Sequence, residues 1–223
     1  MRWLLGLFMF SFLFAGFPEY YYKLPVKKQK EEFKRILLPM IEKENQKILS
    51  IRKKIIEIFN DPEFMINKEK ILYLAKLAKT YKIRDIYDEK SFLKKIDVIP
   101  ENLVLAQGAI ESGWGRSYFV KEANNIFGQW DYSGKGMIPR NRTPGATHTI
   151  KIFKNLEDSL SAYMRNLNRN PAYKEFRDLR AKYREENKTF SGFIAATTLH
   201  RYSELGHRYV KIVQTMVKQF KGN

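Results

Sequence analysis

The chain has 223 residues, 41 Lys/Arg against 24 Asp/Glu, a formal net charge of +17 and 44% apolar residues. That is too apolar for a disordered chain and fits one ordinary domain with appendages. With no cysteine, a disulfide scaffold, a thiol nucleophile, a Cys-ligated metal and a lipidated cysteine are all excluded.

Residues 1–17 read MRWLLGLFMFSFLFAGF. Arg2 precedes an apolar stretch of about 15 residues, the length of a signal-peptide core. Ala15 and Gly16 are small enough to flank a cleavage point, whereas Leu13 and Phe14 fit the small-x-small pattern poorly. A cleaved leader and a retained N-terminal membrane anchor therefore both fit, the run being slightly short of a span; a buried core helix is the bland alternative. Either export reading puts the rest outside the cytoplasm, in the periplasm or cell envelope, and away from nucleic acid.

Residues 18–30 are aromatic, then basic, and are expected to be a linker. From Phe33 to Phe59 apolar residues recur at helical spacing, with Pro39 as a start or kink. Asp61-Pro62 offers an N-cap with proline at the first helical position for a helix through Ile71, Leu74 and Ala78. Pro100 opens the next helix, which Gly113 ends. Between Ile126 and Phe153 repeated Gly and Pro break the chain, and residues 147–153 alternate as a short strand in a hairpin lobe. Helical spacing then resumes through Leu160–Leu167, Tyr173–Tyr183 and Phe193–Thr197. It ends in the stripe Tyr209, Ile212, Val213, Met216, Val217 and Phe220, stopped by Gly222. The fold class is mainly α (α+β): a helical body with a small β-hairpin lobe beside a cleft.

The chemistry concentrates in AQGAIESGWGRSYFVKEANNIFGQW, residues 106–130. Glu111 falls in the last turn of its helix, followed by Gly113, Trp114 and Gly115. The carbonyl end of a helix disfavours a carboxylate, and a neighbouring indole lowers its solvation. Both effects raise the pKa, which suits a group that donates a proton to a glycosidic oxygen. An ordinary helix-end glutamate is the alternative. Asn124, Asn125 and Gly128 suit a tight turn leading to the lobe. Trp114, Phe127, Gln129 and Trp130 are candidates for stacking on and hydrogen-bonding to sugars, with a role in the core as the alternative. His200 and His207 read as packing or capping residues. No spacing suggests a metal site, and no glycine-rich loop follows a strand as a phosphate cradle would.

ESGWGRS and NNIFGQW, with DVIPENLVLAQGAIESGWGRS, PGATHTIKIF, AYMRNLNRNPAY and RYSELGHRYV, resemble glycoside hydrolase family 73, the glucosaminidases, and within it the Bax-like bacterial branch. The resemblance runs from Tyr81 to Phe220. It implies a lysozyme-like fold with a substrate groove between body and β-lobe, no cofactor, and peptidoglycan glycan strands as partner. The bond implied is the β-1,4 linkage between N-acetylglucosamine and N-acetylmuramic acid. By position, the resemblance makes Glu111 the general acid and matches Tyr202 to the family's C-terminal tyrosine; a packed tyrosine is the alternative. Where several members carry a second acid in the lobe, this chain has only Glu122 and Asp131 between Ser112 and Asn155. Asp131 is the better candidate for the base, and His148, in the lobe strand, is a second. Neither aligns well, so assistance by the substrate's own N-acetyl group is a further route.

These motifs divide the chain into a leader or anchor (1–17), a linker with N-terminal helices (18–80) and a catalytic domain (81–223), expected to be monomeric. From Arg140 onward 17 Lys/Arg face seven Asp/Glu, a basic surface suited to nucleic acid, acidic lipid or an anionic wall polymer, with solubility in a Lys-rich chain as the bland alternative. Three other readings compete. A lytic transglycosylase shares the fold and the glutamate, but IFGQW stands where that group carries a GLMQ-type motif. A non-catalytic wall-binding module would keep the groove without turnover. A nucleic-acid binder fits the charge but not the export segment.

Overall fold

A computed structural model describes residues 16–139, 145 and 147–220. Most of the expected leader and the expected stop at Gly222 therefore lie outside the described residues. The order is α1 (Glu19–Lys23), α2 (Val26–Phe59), α3 (Lys68–Tyr81), α4 (Glu89–Lys95), α5 (Glu101–Ser112), α6 (Tyr118–Ala123), β1 (Trp130–Asp131), β2 (Thr149–Ile150), α7 (Leu156–Arg169), α8 (Lys174–Glu185), α9 (Gly192–Ala196) and α10 (His207–Gln219). Short 3-10 turns at Phe64–Ile66 and Pro171–Tyr173 complete it. This is a mainly helical body with one small antiparallel sheet, the arrangement of a lysozyme-like fold. Among the described residues, no helix is long and apolar enough to cross a membrane.

Helix α5 is the axis of the body. Leu103, Val104, Leu105, Ala106, Gln107, Gly108 and Ala109 are all buried, so the helix is enclosed on every side rather than amphipathic. It packs against α2, α9 and α10. Gly192, at the start of α9, donates its N–H to Asn102 Oδ1 at 3.1 Å. A Cβ there would lie 2.3 Å from that oxygen, so the residue type fixes how closely α9 approaches.

Three local expectations are corrected. Residues 18–30 are not a linker. They hold α1 and the start of α2, because Phe17 and Tyr21 are buried, stack at 4.4 Å and pack with Phe33. Pro39 neither starts nor ends α2, which runs unbroken for 34 residues, about 51 Å. The proline is exposed, so the carbonyl it frees faces the solvent side. Asp61 does not cap α3. Asn67 does, accepting from Lys70 N, while Asp61 accepts from Glu63 N and pairs with the Lys70 ammonium.

Two buried polar links close the body. Asn45 of α2 donates to Ile99 O at 2.9 Å and accepts from Ile99 N at 3.0 Å. Asp97, 1% exposed, accepts from Arg184 Nε at 2.6 Å and from its second nitrogen at 2.5 Å, with Arg52 3.6 Å away. Arg180, also buried, donates to the Asp97 carbonyl at 3.0 Å.

The lobe is smaller than the expected strand over 147–153. Among the described residues only Trp130↔Ile150 and Asp131↔Thr149 pair, with a further bridge from Met137 to Ile150. Its base is tied by side chains. Asn125, 1% exposed, donates to Gln129 O and Lys151 O, both at 2.8 Å, and accepts from Gln129 N at 2.9 Å. Asn124, left-handed at φ 52°, donates to Phe153 O at 3.1 Å. Gln129 Nε2 donates to Ser159 O of α7 at 2.9 Å.

Candidate active site

Glu111 sits in the last turn of α5. The helix ends at Gly113, whose N–H turns back to Ala109 O and Ile110 O. Gly113, Trp114 and Gly115 all have positive φ, at 55°, 57° and 73°. For an L side chain such as Trp114 that backbone is costly. Tyr21 Oη from α1 donates to Trp114 O at 2.6 Å and holds the turn.

The Glu111 carboxyl is half-buried and accepts a hydrogen bond from Tyr209 Oη at 2.6 Å. Tyr209 in turn accepts from Gln107 Nε2 at 2.9 Å. Gln107 Oε1 accepts from Tyr163 Oη. Three buried residues from α5, α7 and α10 thus form a polar chain that ends on the glutamate. Gln107 lies one turn before Glu111, which places both on one face of α5. Burial raises the pKa of Glu111, and the Tyr209 hydrogen bond opposes that rise.

A tyrosine nest surrounds this chain. Tyr202 stacks on Tyr209 at 5.3 Å, meets Tyr163 edge-on at 6.4 Å and lies 6.0 Å from Tyr173. Burial, followed by the charge of Glu111, raises the Tyr173 hydroxyl to about 12. The Tyr202 hydroxyl is also pushed well up, by burial first, then Tyr163 and Glu111. These phenols stay protonated near neutral pH and can act as donors. Phe127 stacks face to face on Tyr163 at 3.8 Å, which joins the base of the lobe to the nest.

The structure therefore brings together Glu111, Tyr202 and Phe127, through Tyr163 and Tyr209. It does not bring the remaining predicted residues to the same place. Trp114 turns its ring onto Phe33 and Phe220, both at 5.5 Å, with Lys30 Nζ 4.7 Å over it. Asn125 and Gln129 spend their amides on the lobe base. Trp130, 52% exposed, stacks on His148 at 3.8 Å and lies 6.3 Å from Tyr132, forming an aromatic surface on the lobe. Asp131 accepts from Ser133 Oγ at 2.8 Å, Lys135 N at 3.1 Å and Thr149 Oγ1 at 3.3 Å. Those donors, Ser133 first, hold its carboxyl below the usual range. Among the described residues, no group of three His, Asp or Glu side chains is placed to hold a metal.

Sequence reasoning missed Gln107 and Tyr209 as members of the site. Tyr209 sits on the apolar stripe of α10 and reads as core. The available signal was Gln107, a lone amide in an otherwise apolar helix, four residues before the glutamate. A buried amide needs partners.

A family model described as Mannosyl-glycoprotein endo-beta-N-acetylglucosaminidase matches residues 89–221. "Protein bax" of Escherichia coli is 29% identical over 186 residues, 81% of this chain and 66% of that protein. "Peptidoglycan hydrolase FlgJ" of Salmonella typhimurium is 30% identical over 109 residues, 39% of this chain and 34% of that protein. The chain thus spans just under two thirds of the first relative's length and about a third of the second's. No solved structure matches.

Proposed function

The chain belongs to the glucosaminidase family, and on that premise we propose that it hydrolyses peptidoglycan at the β-1,4 bond between N-acetylglucosamine and N-acetylmuramic acid. The observation that carries this reading is the half-buried Glu111 carboxyl, its pKa raised by burial and its orientation set by Tyr209. A carboxyl that keeps its proton toward neutral pH can deliver it to the leaving oxygen of a sugar.

In the proposed reaction Glu111 protonates the glycosidic oxygen and the C1–O bond breaks. The departing sugar leaves with its 4-hydroxyl. Positive charge gathers at C1 and the ring oxygen. Asp131 is ionised, as a base must be, but lobe donors already hold it. That favours capture of C1 by the carbonyl oxygen of the substrate's own N-acetyl group. Water then opens the cyclic intermediate and returns its proton to the Glu111 carboxylate. The protonated phenol of Tyr202 is the group we assign to orient the acetamido group. Trp130 and His148, on the lobe, are assigned to the outer part of the glycan strand.

We place this work in the cell envelope, with residues 1–17 as leader or anchor and residues 81–223 as the catalytic unit on which the N-terminal helices pack. The +17 charge holds the protein on an anionic wall, an attachment that weakens with salt.

The test is mass spectrometry of purified sacculi digested by the full chain and by Glu111→Gln. Reducing-end N-acetylglucosamine is expected from the parent, with a fall of at least about a hundredfold in the variant. Anhydro-muramic ends would instead make the enzyme a transglycosylase. Near-normal turnover by Glu111→Gln would remove the glutamate from the mechanism.

A further inference from the structure

A cavity of about 500 Å³ opens where the ends of α3 and α7 meet α4 and the start of α8. That volume lies within the range of small-molecule sites. Seven of its ten lining residues are Lys or Arg, and among the described residues Asp178 is its one carboxylate. Lys94 and Lys174 share that carboxylate, at 3.0 and 2.5 Å. Arg177, 4% exposed, donates to Leu167 O at 2.9 Å and Asn170 O at 2.8 Å. Lys95 donates to the carbonyls of Tyr81 and Lys82. Lys82, Arg84 and Arg169 also line the cavity, and among the described residues none of the three has a carboxylate partner.

Like charges converge here at a cost. Burial lowers the Lys95 ammonium, and then Arg177, Arg84 and Lys82 lower it further. Seven cations around one carboxylate leave a surplus that a single carboxylate ligand would not balance. Three of them are guanidiniums, whose planar forks match tetrahedral oxyanions in two-pronged fashion. From this arrangement we propose that the cavity is a binding site for a multiply charged phosphate group, such as a diphosphate or a phosphate ester. The Pro171–Tyr173 turn links it to the catalytic region, since Pro171 lines the cavity and Tyr173 packs on Tyr202. The proposal does not depend on the glycosidase reading.

Calorimetric titration of the full chain tests it, with inorganic diphosphate and acetate as probes at an ionic strength of about 0.15 M, where diffuse surface attraction is largely screened. Saturable binding of one diphosphate is expected, at least about tenfold tighter than acetate. The triple variant Lys82→Gln/Arg84→Gln/Arg169→Gln should weaken it at least tenfold, with the helical circular-dichroism signal unchanged. The variant Lys27→Gln/Lys28→Gln, elsewhere on the surface, should bind as the parent does. Should the triple variant fail to fold, Arg84→Gln alone is read against Arg84→Lys, which keeps the charge and loses the fork. Co-sedimentation with phosphatidic acid vesicles, whose headgroup is a phosphomonoester, parent minus variant, separates a lipid headgroup from a soluble phosphate, and either result supports the site. Absence of saturable binding, or equal losses in the two surface variants, would overturn it.

Discussion

Tyr209 and Glu111 share one hydrogen bond, and its removal has a readable sign. That bond favours the ionised carboxyl and holds its pKa down against burial. Tyr209→Phe should therefore raise the glutamate's pKa further. If the protonated form is the active one, the alkaline limb of the kcat/KM profile moves to higher pH. The accompanying loss of rate should stay well short of the hundredfold expected of Glu111→Gln. An unmoved limb would deny the coupling. The same carboxyl affects stability. Its folded-state pKa lies above the unfolded value, so the native state keeps a proton that the unfolded chain releases, and stability falls as pH rises through that window. Glu111→Gln removes this cost while leaving Tyr209 an acceptor oxygen. It should melt above the parent near pH 8 and together with it near pH 3, where both states of the parent's carboxyl are protonated. Scanning calorimetry at the two values is the check. At this scale the glutamate was legible in the sequence. The residue bonded to it was not, because a tyrosine on a helical stripe has the pattern of packing.

The elements differ in how far local pattern fixes them. Helix α5 was legible at both ends because its signals are backbone signals: proline before it and a left-handed glycine after it. Helix α2 begins earlier than its periodicity suggests, because Phe17 and Tyr21 make long-range contacts that no local window contains. The lobe is the reverse case. Alternation over 147–153 promised a strand, yet among the described residues only two strand pairs and one bridge form, and side-chain amides supplement the few backbone hydrogen bonds. Asn125 supplies most of that support. Asn125→Ala would leave Gln129 N and Lys151 O without their partner, while Gln129 O keeps its bond from Lys151 N. At about 1–3 kcal/mol for each buried group left unsatisfied, a loss of at least about 2 kcal/mol is expected. Differential hydrogen exchange should show the lobe opening while α5 stays protected.

At the scale of the whole molecule the body is closed by charge as well as by apolar packing. Asp97 gathers Arg52 from α2, Arg184 from α8 and, through its carbonyl, Arg180. Arg184 is part-exposed and can turn outward, but Arg180 is buried. Asp97→Ala removes the carboxylate partner of Arg52 and the charge that offsets buried Arg180, whose hydrogen bonds to the residue-97 carbonyl and to Asn168 remain; the cost, about 3 kcal/mol, is readable as a lower midpoint in urea with little change in slope. No sequence pattern marks this hub, because its members lie as far as 132 positions apart. The lobe has another use. Trp130 stands half-exposed with His148 on one face, whereas Trp114 is wedged between Phe33 and Phe220. With Trp3 replaced by Phe, the chain's fluorescence comes from two indoles of unlike accessibility. Acrylamide would quench Trp130 first, and a glycan laid over its open face would shield it, so the protein carries a label-free optical gauge of what rests on its lobe.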